Sequence, residues 1–222
     1  MPAAKAYKGL PMEGIIARWY SKITIKDISR HHDMARYIAG FLSPGASVLE
    51  IAPGPGYFCI ELAKLGPYRI TGIDISQSFV EIARRNAAQA GVQAEFRHGN
   101  ASAMPLEDNS FDLTFCQAAF KNFTEPVDAI REMYRVLRPG GKAIIEDLRH
   151  DATPEGIGKE VDKMELGALD RLMTAWTFRH MLVKNAYTVQ DMESMIAHTP
   201  FGKGRIDVND VGFEVVLEKR SL

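Results

Sequence analysis

The sequence predicts an α/β protein built around a doubly wound, mostly parallel β-sheet. Between residues 46 and 148, short apolar runs alternate with longer segments of helical periodicity. This alternation is typical of parallel strands joined by crossover helices. One run is apolar at nearly every residue, as expected of a strand covered on both faces. The chain of 222 residues is 46% hydrophobic, which suffices for one sizeable core and excludes the disordered and fibrous classes.

The strands and helices of this region have recognisable boundaries. We predict five strands, at Val48–Ile51, Arg69–Ile75, Ala94–Arg97, Phe111–Ala118 and Lys142–Leu148. A first helix covers Tyr57–Leu65 and ends before a Gly-Pro pair. A second helix opens with a capping-box pattern at Ser78 and runs to Gly91. A third follows Thr124, whose side chain suits an N-cap.

The flanking segments are mainly helical. Residues 13–42 contain two helical patterns, and a turn at Asp151–Gly156 precedes a long helical stretch, Ile157–Leu182. A further helix opens at Thr188. Two short apolar runs then predict a terminal β pair, at Arg205–Val208 and Phe213–Glu218. Together with the five central strands, this pair predicts a seven-stranded sheet.

Composition excludes several functional classes. The net charge of −1 and the pI near 6.6 argue against a nucleic-acid partner and against binding to anionic membranes. Cys59 and Cys116 stand among apolar residues and predict buried thiols in a reducing compartment. The N-terminus lacks an apolar core of signal-peptide length, and no run approaches the roughly 18 apolar residues of a membrane span. We therefore expect a cytoplasmic protein.

The junction between the first strand and the first helix carries the clearest signal of a binding site. It reads Glu50-Ile-Ala-Pro-Gly-Pro-Gly56, and glycines at such a junction let the backbone approach a ligand closely. The second strand brings Asp74 to the same edge of the sheet, where a carboxylate can accept hydrogen bonds from ribose hydroxyls. These residues predict a nucleoside-containing ligand at the carboxyl edge.

The ligand is not expected to be a dinucleotide. The G-x-G-x-x-G pattern fails because Ala52 and Tyr57 occupy its first and third glycine positions. Glu50 would repel a pyrophosphate but can hold a cation. A ligand with an amino acid at one end and an adenosine at the other satisfies both observations.

Five segments resemble, in order, the motifs of class I S-adenosylmethionine (SAM)-dependent methyltransferases. They are Val48–Tyr57, Gly72–Ser76, Gly99–Pro105, Ser110–Leu113 and Val136–Gly141. The resemblance covers about residues 45–148 and implies a Rossmann-like methyltransferase fold with SAM as cofactor. It also implies transfer of a methyl group to O, N or C of a small-molecule acceptor.

The resemblance assigns roles to individual residues. It places Asp74 at the ribose hydroxyls, Ile75 on the adenine face, Asn100 and Ala101 at the adenine edge, and Gln117 beneath the sulfonium. The residues that would line the methionine end are Glu50, Ala52, Gly54 and Gly56. Two positions depart from the family pattern, because Ala52 replaces the usual first glycine and Asn100 stands where aspartate is commoner.

The resemblance extends to the division of the chain. We expect a single domain over residues 1–222, with an N-terminal helical cap (1–44), a SAM-binding core (45–148) and a helical substrate cover with the terminal β pair (149–222). In the cap, Tyr20 is expected to reach the SAM carboxylate. Alternatively, Trp19 and Tyr20 pack the helix onto the sheet.

No catalytic residue is identified from the sequence. Methyl transfer from a sulfonium is an in-line displacement that depends mainly on positioning, and a base is needed only if the acceptor must lose a proton. The candidates are Lys121, His31 and His180, each of which alternatively has only a surface or packing role. No metal site is expected, because no metal-binding motif is present.

Two other functions and one assembly state remain open from the sequence. Because the cofactor motifs are present but no catalytic base is identified, the chain could also be a non-catalytic SAM-binding or dimerisation module. A nicotinamide oxidoreductase on the same fold is disfavoured by Tyr57 and Glu50. A homodimer is compatible with the sequence.

Overall fold

The computed structural model describes residues 7–8, 12–25, 28–162 and 183–221. Its centre is a seven-stranded sheet in the order β3-β2-β1-β4-β5-β7-β6. The first five strands are parallel, whereas β7 pairs antiparallel with both β5 and β6. The strands are β1 Ser47–Ile51, β2 Arg69–Asp74, β3 Glu95–His98, β4 Phe111–Gln117, β5 Leu137–Leu148, β6 Arg205–Val208 and β7 Gly212–Glu218. The predicted mostly parallel, seven-stranded α/β fold is confirmed.

Helices cover both faces of this sheet. They are α1 Gly14–Thr24, α2 Ile28–Ala39, α3 Tyr57–Ala63, α4 Gln77–Ala90, α5 Pro126–Val136, α6 Pro154–Asp162 and α7 Val189–Ala197. Helices α2, α3 and α4 share one apolar core with the sheet, while α5 and α7 share the other. Helix α1 packs on α4 through Ala17, Phe79 and Ile82. None of the helices in the described ranges is long and apolar enough to cross a membrane.

The two cores show which face of the sheet each strand side chain occupies. On the α3 side, the rings of Phe58 and Phe115 pack with their centroids 4.5 Å apart. Cys116 and Ile145 point to the α5 side. Because side chains alternate along a strand, Gln117 falls on the α3 side with Phe115. The buried, free thiols predicted for both cysteines are confirmed.

Several predicted helix starts were wrong by a few residues. Ser76, not Ser78, caps α4, because its Oγ accepts the N–H of Phe79 at 3.0 Å. Helix α5 begins after Glu125 rather than Thr124. Part of the predicted 151–156 turn belongs to α6, which starts at Pro154. Of the helical stretch predicted over residues 157–182, the part after residue 162 lies outside the described residues.

Candidate functional site

The site lies where β1 ends between β2 and β4, the point at which the strand order reverses. Ligands of open α/β sheets bind at such a switch point, outside the carboxyl ends of the strands. Here the chain enters a loop in which Ala52, Gly54 and Gly56 all have left-handed backbone conformations, with φ of 56°, 53° and 79°. The Ala52 N–H donates to the carbonyl of Ile73 at 2.8 Å, which fixes the loop to the end of β2.

The glycines of this loop are required for different reasons. A Cβ on Gly56 would lie 2.9 Å from Ala83 Cβ and 2.9 Å from the Phe96 ring. Gly56 therefore lets α3, α4 and β3 pack closely. A Cβ on Gly54 would meet nothing within 4 Å. Gly54 thus presents its backbone to open space, as a close approach by a ligand requires.

Asp74 links the loops that follow β1 and β2. Its Oδ2 accepts the N–H of Gly54 at 3.0 Å, and its Oδ1 accepts the N–H of Ser76 at 2.8 Å. Burial raises the pKa of Asp74 to about 6, although both N–H donors act to lower it. Each carboxylate oxygen can accept more than one hydrogen bond, so Asp74 keeps capacity for a pair of ligand hydroxyls.

The predicted adenine residues lie beside Asp74. Ile75 is 38% exposed although it directly follows a buried strand. Its carbonyl accepts a bond from His98 Nε2 at 3.0 Å. Asn100 Oδ1 accepts the N–H of Ser102 at 3.0 Å, and Ala101 is buried. An apolar side chain is therefore exposed next to a buried acid, which suits the face of an aromatic base next to a sugar.

Glu50 is a second buried carboxylate, in β1 just before the loop. It is 4% exposed, and its Oε2 accepts the thiol of Cys59 at 2.9 Å. Burial raises the pKa of Glu50 to about 7, and the Cys59 hydrogen bond lowers it only in part. Glu50 forms no ion pair with any residue in the described ranges. Such a group gains most from a cationic ligand, because a buried charge is costly until it is paired.

Gln117 ends β4 on the same side of the sheet as Glu50. Its Nε2 donates to Glu146 Oε2 at 2.7 Å, and Arg30 Nη2 lies 3.4 Å from Glu146 Oε1. Glu146, which the sequence did not single out, therefore fixes the orientation of the Gln117 amide. The next residue, Ala118, has a φ of 56° and is exposed at the end of the strand.

Lys121 follows β4 but does not project into solvent. Its Nζ donates to Asp147 Oδ1 at 2.7 Å and to the carbonyl of Ala118 at 2.6 Å. Its backbone N–H donates to Asp147 Oδ2 at 2.8 Å. The alternative of a solvated lysine was wrong, because Asp147 at the end of β5 is a buried acceptor that holds both groups. The pair ties the 3-10 turn Phe120–Asn122 to β5.

One histidine candidate lies next to the first residue of α3, and the other lies outside the described residues. The ring of His31 on α2 lies 5.8 Å from the ring of Tyr57. His180 lies outside the described residues. Within the described ranges, no group of three or more His, Cys, Asp or Glu residues could hold a metal ion.

The N-terminal segment adds a residue that sequence reasoning missed. Tyr7 forms an isolated β-bridge with Phe123, and the Lys8 N–H donates to the Asn122 carbonyl at 2.8 Å. Burial raises the pKa of Tyr7, with further contributions from Tyr20, Asp74 and Asp147. The phenol therefore stands in the field of carboxylates at the ends of β2 and β5. No local pattern reveals this, since the contact joins residues more than a hundred positions apart.

The start of α1 is fastened to the start of α4. The N–H of Gly14 donates to Ser78 Oγ at 2.9 Å, and Ser76 Oγ donates to the Met12 carbonyl at 2.6 Å. Tyr20 packs edge-on against Phe79 of α4, with ring centroids 5.8 Å apart. Of the alternative in which Trp19 and Tyr20 pack the helix onto the sheet, the part concerning Trp19 was wrong, because Trp19 is 62% exposed, whereas Tyr20 packs on α4.

Comparison with known proteins finds similarity to methyltransferases over part of the chain. Residues 49–145 match the profile of a family described as a methyltransferase domain. A demethylmenaquinone methyltransferase of Deinococcus radiodurans is 36% identical over 99 residues, which are 44% of this chain and 41% of that protein. A ubiquinone/menaquinone biosynthesis C-methyltransferase of Hahella chejuensis is 36% identical over 129 residues, 56% of this chain and 51% of that protein. The matched part of the chain thus spans about half the length of these curated relatives.

A solved structure supports the fold over nearly the whole chain. A protein of Methanococcus maripaludis, described as a SAM-dependent methyltransferase, superposes with a TM-score of 0.73 at 23% identity. The superposition covers 93% of each chain. It confirms the fold, and the match to the family profile confirms the resemblance read from the five motifs.

Proposed function

We propose that this chain, whose residues 49–145 match a methyltransferase-domain profile, transfers a methyl group from SAM to a small-molecule acceptor. The observation that carries the proposal is the pairing of two buried acids around one loop. Asp74 is hydrogen-bonded to backbone N–H groups yet keeps acceptor capacity, and Glu50 is buried without a cation in the described ranges. A nucleoside joined to an ammonium-bearing amino acid satisfies both.

The residues present fit SAM. Asp74 would hold the ribose hydroxyls, Glu50 would pair with the amino-acid ammonium, and Gly54 gives the cofactor close access to the loop. The exposed face of Ile75 would pack on the adenine. The remaining residues that we assign to the cofactor are Tyr20, Ala52, Gly56, Asn100, Ala101 and Gln117.

The chemistry that bound SAM supplies is an electrophilic methyl carbon on a sulfonium, with a neutral leaving group. The protein then has to position the acceptor and exclude water. Gln117, held by Glu146, would border the reacting end of the cofactor. The Lys121–Asp147 pair would act as a positioning pair, because it fixes the turn after β4. Tyr7 carries its phenolic proton at neutral pH, as an ordinary tyrosine does, and it would donate a hydrogen bond to a polar group of the methyl acceptor.

The class of acceptor is suggested by the curated relatives. The curated relatives are named for quinone substrates, but the family match ends at residue 145, before α6 and α7. Demethylated quinols are therefore the first acceptors to assay, together with other small polar-headed aromatic compounds. We also propose that the chain is divided into cap, core and cover, that it has no nucleic-acid substrate and that it is located in the cytoplasm.

Two measurements test the proposal. Calorimetry with SAM should show binding to the full-length protein at a one-to-one ratio. Incubation with methyl-labelled SAM and the acceptor panel should transfer label and form S-adenosylhomocysteine. Binding without turnover on any acceptor or cell extract would favour the non-catalytic module instead. Failure to bind SAM, or binding of NADH in its place, would reject the proposed cofactor site.

A further inference from the structure

Helix α1 presents an unusual surface to solvent. Ile15 is 77% exposed, Trp19 is 62% exposed and Ile16 is 40% exposed. At about 100° of rotation per residue, these side chains share one face of the helix, and Lys22 lies about 20° from Ile15 around the axis. We call the five residues Ile15, Ile16, Arg18, Trp19 and Lys22 the outer face of α1. A large exposed tryptophan beside two exposed isoleucines marks an interaction surface rather than ordinary protein surface.

The opposite face of α1 accounts for its attachment to the protein. Ala17 is fully buried against Phe79 and Ile82 of α4. The hydroxyl of Tyr57 donates to the Ser21 carbonyl at 2.9 Å. The helix is thus held in place by its inner residues, and packing onto α4 does not require the exposed isoleucines or Trp19.

The outer face is basic as well as apolar. Arg18 and Lys22 are both exposed, and neither forms an ion pair with a residue in the described ranges. The helix, of sequence Gly-Ile-Ile-Ala-Arg-Trp-Tyr-Ser-Lys-Ile-Thr, contains no acidic residue. The net charge of −1, which argued against binding to anionic lipid, describes the whole chain. It does not reflect the local excess of cations on this helix. An apolar stripe containing tryptophan and bordered by cations is the pattern of helices that lie in a bilayer interface.

We propose that the outer face of α1 docks onto the surface of an anionic lipid bilayer. Ile15, Ile16 and Trp19 would enter the boundary between headgroups and acyl chains, while Arg18 and Lys22 contact phosphate groups. A second copy of the chain fits this face less well. A symmetric contact would bring both sets of cations together with no acidic partner on either α1.

Docking by α1 has a consequence for the site, and this step rests on the proposed function. The start of α1 is hydrogen-bonded to Ser76 and Ser78, which follow the ribose-binding Asp74 in the chain. The docked helix would therefore hold the carboxyl edge of the sheet close to the bilayer. An acceptor dissolved in the membrane could then reach the site without crossing water.

The first experiment uses tryptophan emission. The chain has two tryptophans, so the Trp176→Phe variant leaves Trp19 as the reporter. Vesicles of equimolar phosphatidylcholine and phosphatidylglycerol should shift its emission to shorter wavelength and co-sediment with the protein. Vesicles of phosphatidylcholine alone should bind at least about tenfold more weakly.

The second experiment uses matched variants of the otherwise native protein. Arg18→Gln/Lys22→Gln should weaken binding to the anionic vesicles by about tenfold or more, because each basic residue contributes near such a surface. Trp19→Ala should weaken binding to a similar extent. The control Lys184→Gln/Lys203→Gln removes the same charge from exposed positions elsewhere and should bind as the wild type does. Circular dichroism checks that each variant keeps its helix content.

Four results would overturn the proposal. The first is no binding to anionic vesicles, and the second is equal binding to anionic and neutral vesicles. The third is a loss of vesicle binding in the control variant equal to that in Arg18→Gln/Lys22→Gln. The fourth is Trp19 emission that acrylamide fails to quench in the absence of lipid. Dimerisation that Trp19→Ala abolishes would assign the face to a second copy. SAM binding, measured by calorimetry without lipid, reports on the cofactor site alone, so a failure of docking and a failure of the proposed function are distinguishable.

Discussion

Replacing Glu50 by glutamine should make the cofactor-free protein more stable at neutral and alkaline pH. The raised pKa of Glu50, about 7 against an ordinary value of 4.5, means that the folded protein disfavours the charged form. That difference corresponds to about 3 kcal/mol of lost stability once the group is ionised. The loss is absent below the unfolded-state pKa of 4.5, grows as the pH rises, and is complete above about 7. Glutamine keeps an oxygen that can accept the Cys59 thiol and removes the charge.

The assay is urea unfolding followed by circular dichroism, at about pH 5 and about pH 8. The variant should exceed the wild type by up to about 3 kcal/mol in free energy of unfolding at the higher pH, and by much less at the lower one. Glu61→Gln is the control, because hydrogen bonds from Lys64 and His32 lower the pKa of Glu61. It should be destabilising at the higher pH.

Binding of SAM should respond in the opposite direction. Glu50→Gln should weaken binding, because the ammonium of the ligand loses its charged partner. For the wild type, the affinity for SAM should fall as the pH drops below about 7, where Glu50 becomes protonated. Two results would refute this reasoning. Equal stability of variant and wild type at both pH values would show that the buried charge of Glu50 costs no stability, and unchanged affinity for SAM would show that Glu50 does not pair with the ammonium.

Three further substitutions test the rest of the site. Asp74→Ala should weaken SAM binding by about 1–3 kcal/mol in calorimetry, because partners of a buried carboxylate are left unpaired, and unchanged affinity would remove the ribose assignment. Gly56→Ala should destabilise the fold by about 2–4 kcal/mol through overpacking and a left-handed backbone, whereas Gly54→Ala should cost only about 1–2 kcal/mol yet impair SAM binding. Equal unfolding midpoints for these two would contradict the packing argument. Lys121→Met should cost about 3–5 kcal/mol by leaving Asp147 unpaired; lost turnover at unchanged stability would instead make Lys121 a catalytic residue.

The sequence predicted the sheet well because its signals are local. Hydrophobic runs and loop glycines identified every strand of the core, and the positions of Asp74 and Gly54 followed from the strand ends alone. Helix starts were harder to place. Ser76 and Ser78 are equally good N-cap residues in isolation, and both also bond to the distant segment around the start of α1, which no local pattern reveals.

The side-chain partners in the site could not be predicted for the same reason. Lys121 meets Asp147 only because β4 and β5 are neighbours in the sheet. Tyr7 reaches the site through a backbone pairing with Phe123 that leaves no periodic pattern. Ala52 was expected to be a modest departure from glycine, and the structure shows that it adopts the left-handed conformation that a glycine would favour.

The hydrogen bonds that Asp74 accepts from both loops have a consequence for the binding of product. One carboxylate joins the two loops before any ligand binds. The nucleoside half of the cleft is therefore already ordered, and ligand binding costs little further ordering there. S-Adenosylhomocysteine carries the same adenosine and the same amino-acid end as SAM, so under the proposed function this half of the cleft should bind the product and the cofactor alike. We therefore expect S-adenosylhomocysteine to inhibit the proposed methyl transfer by competing with SAM for this cleft.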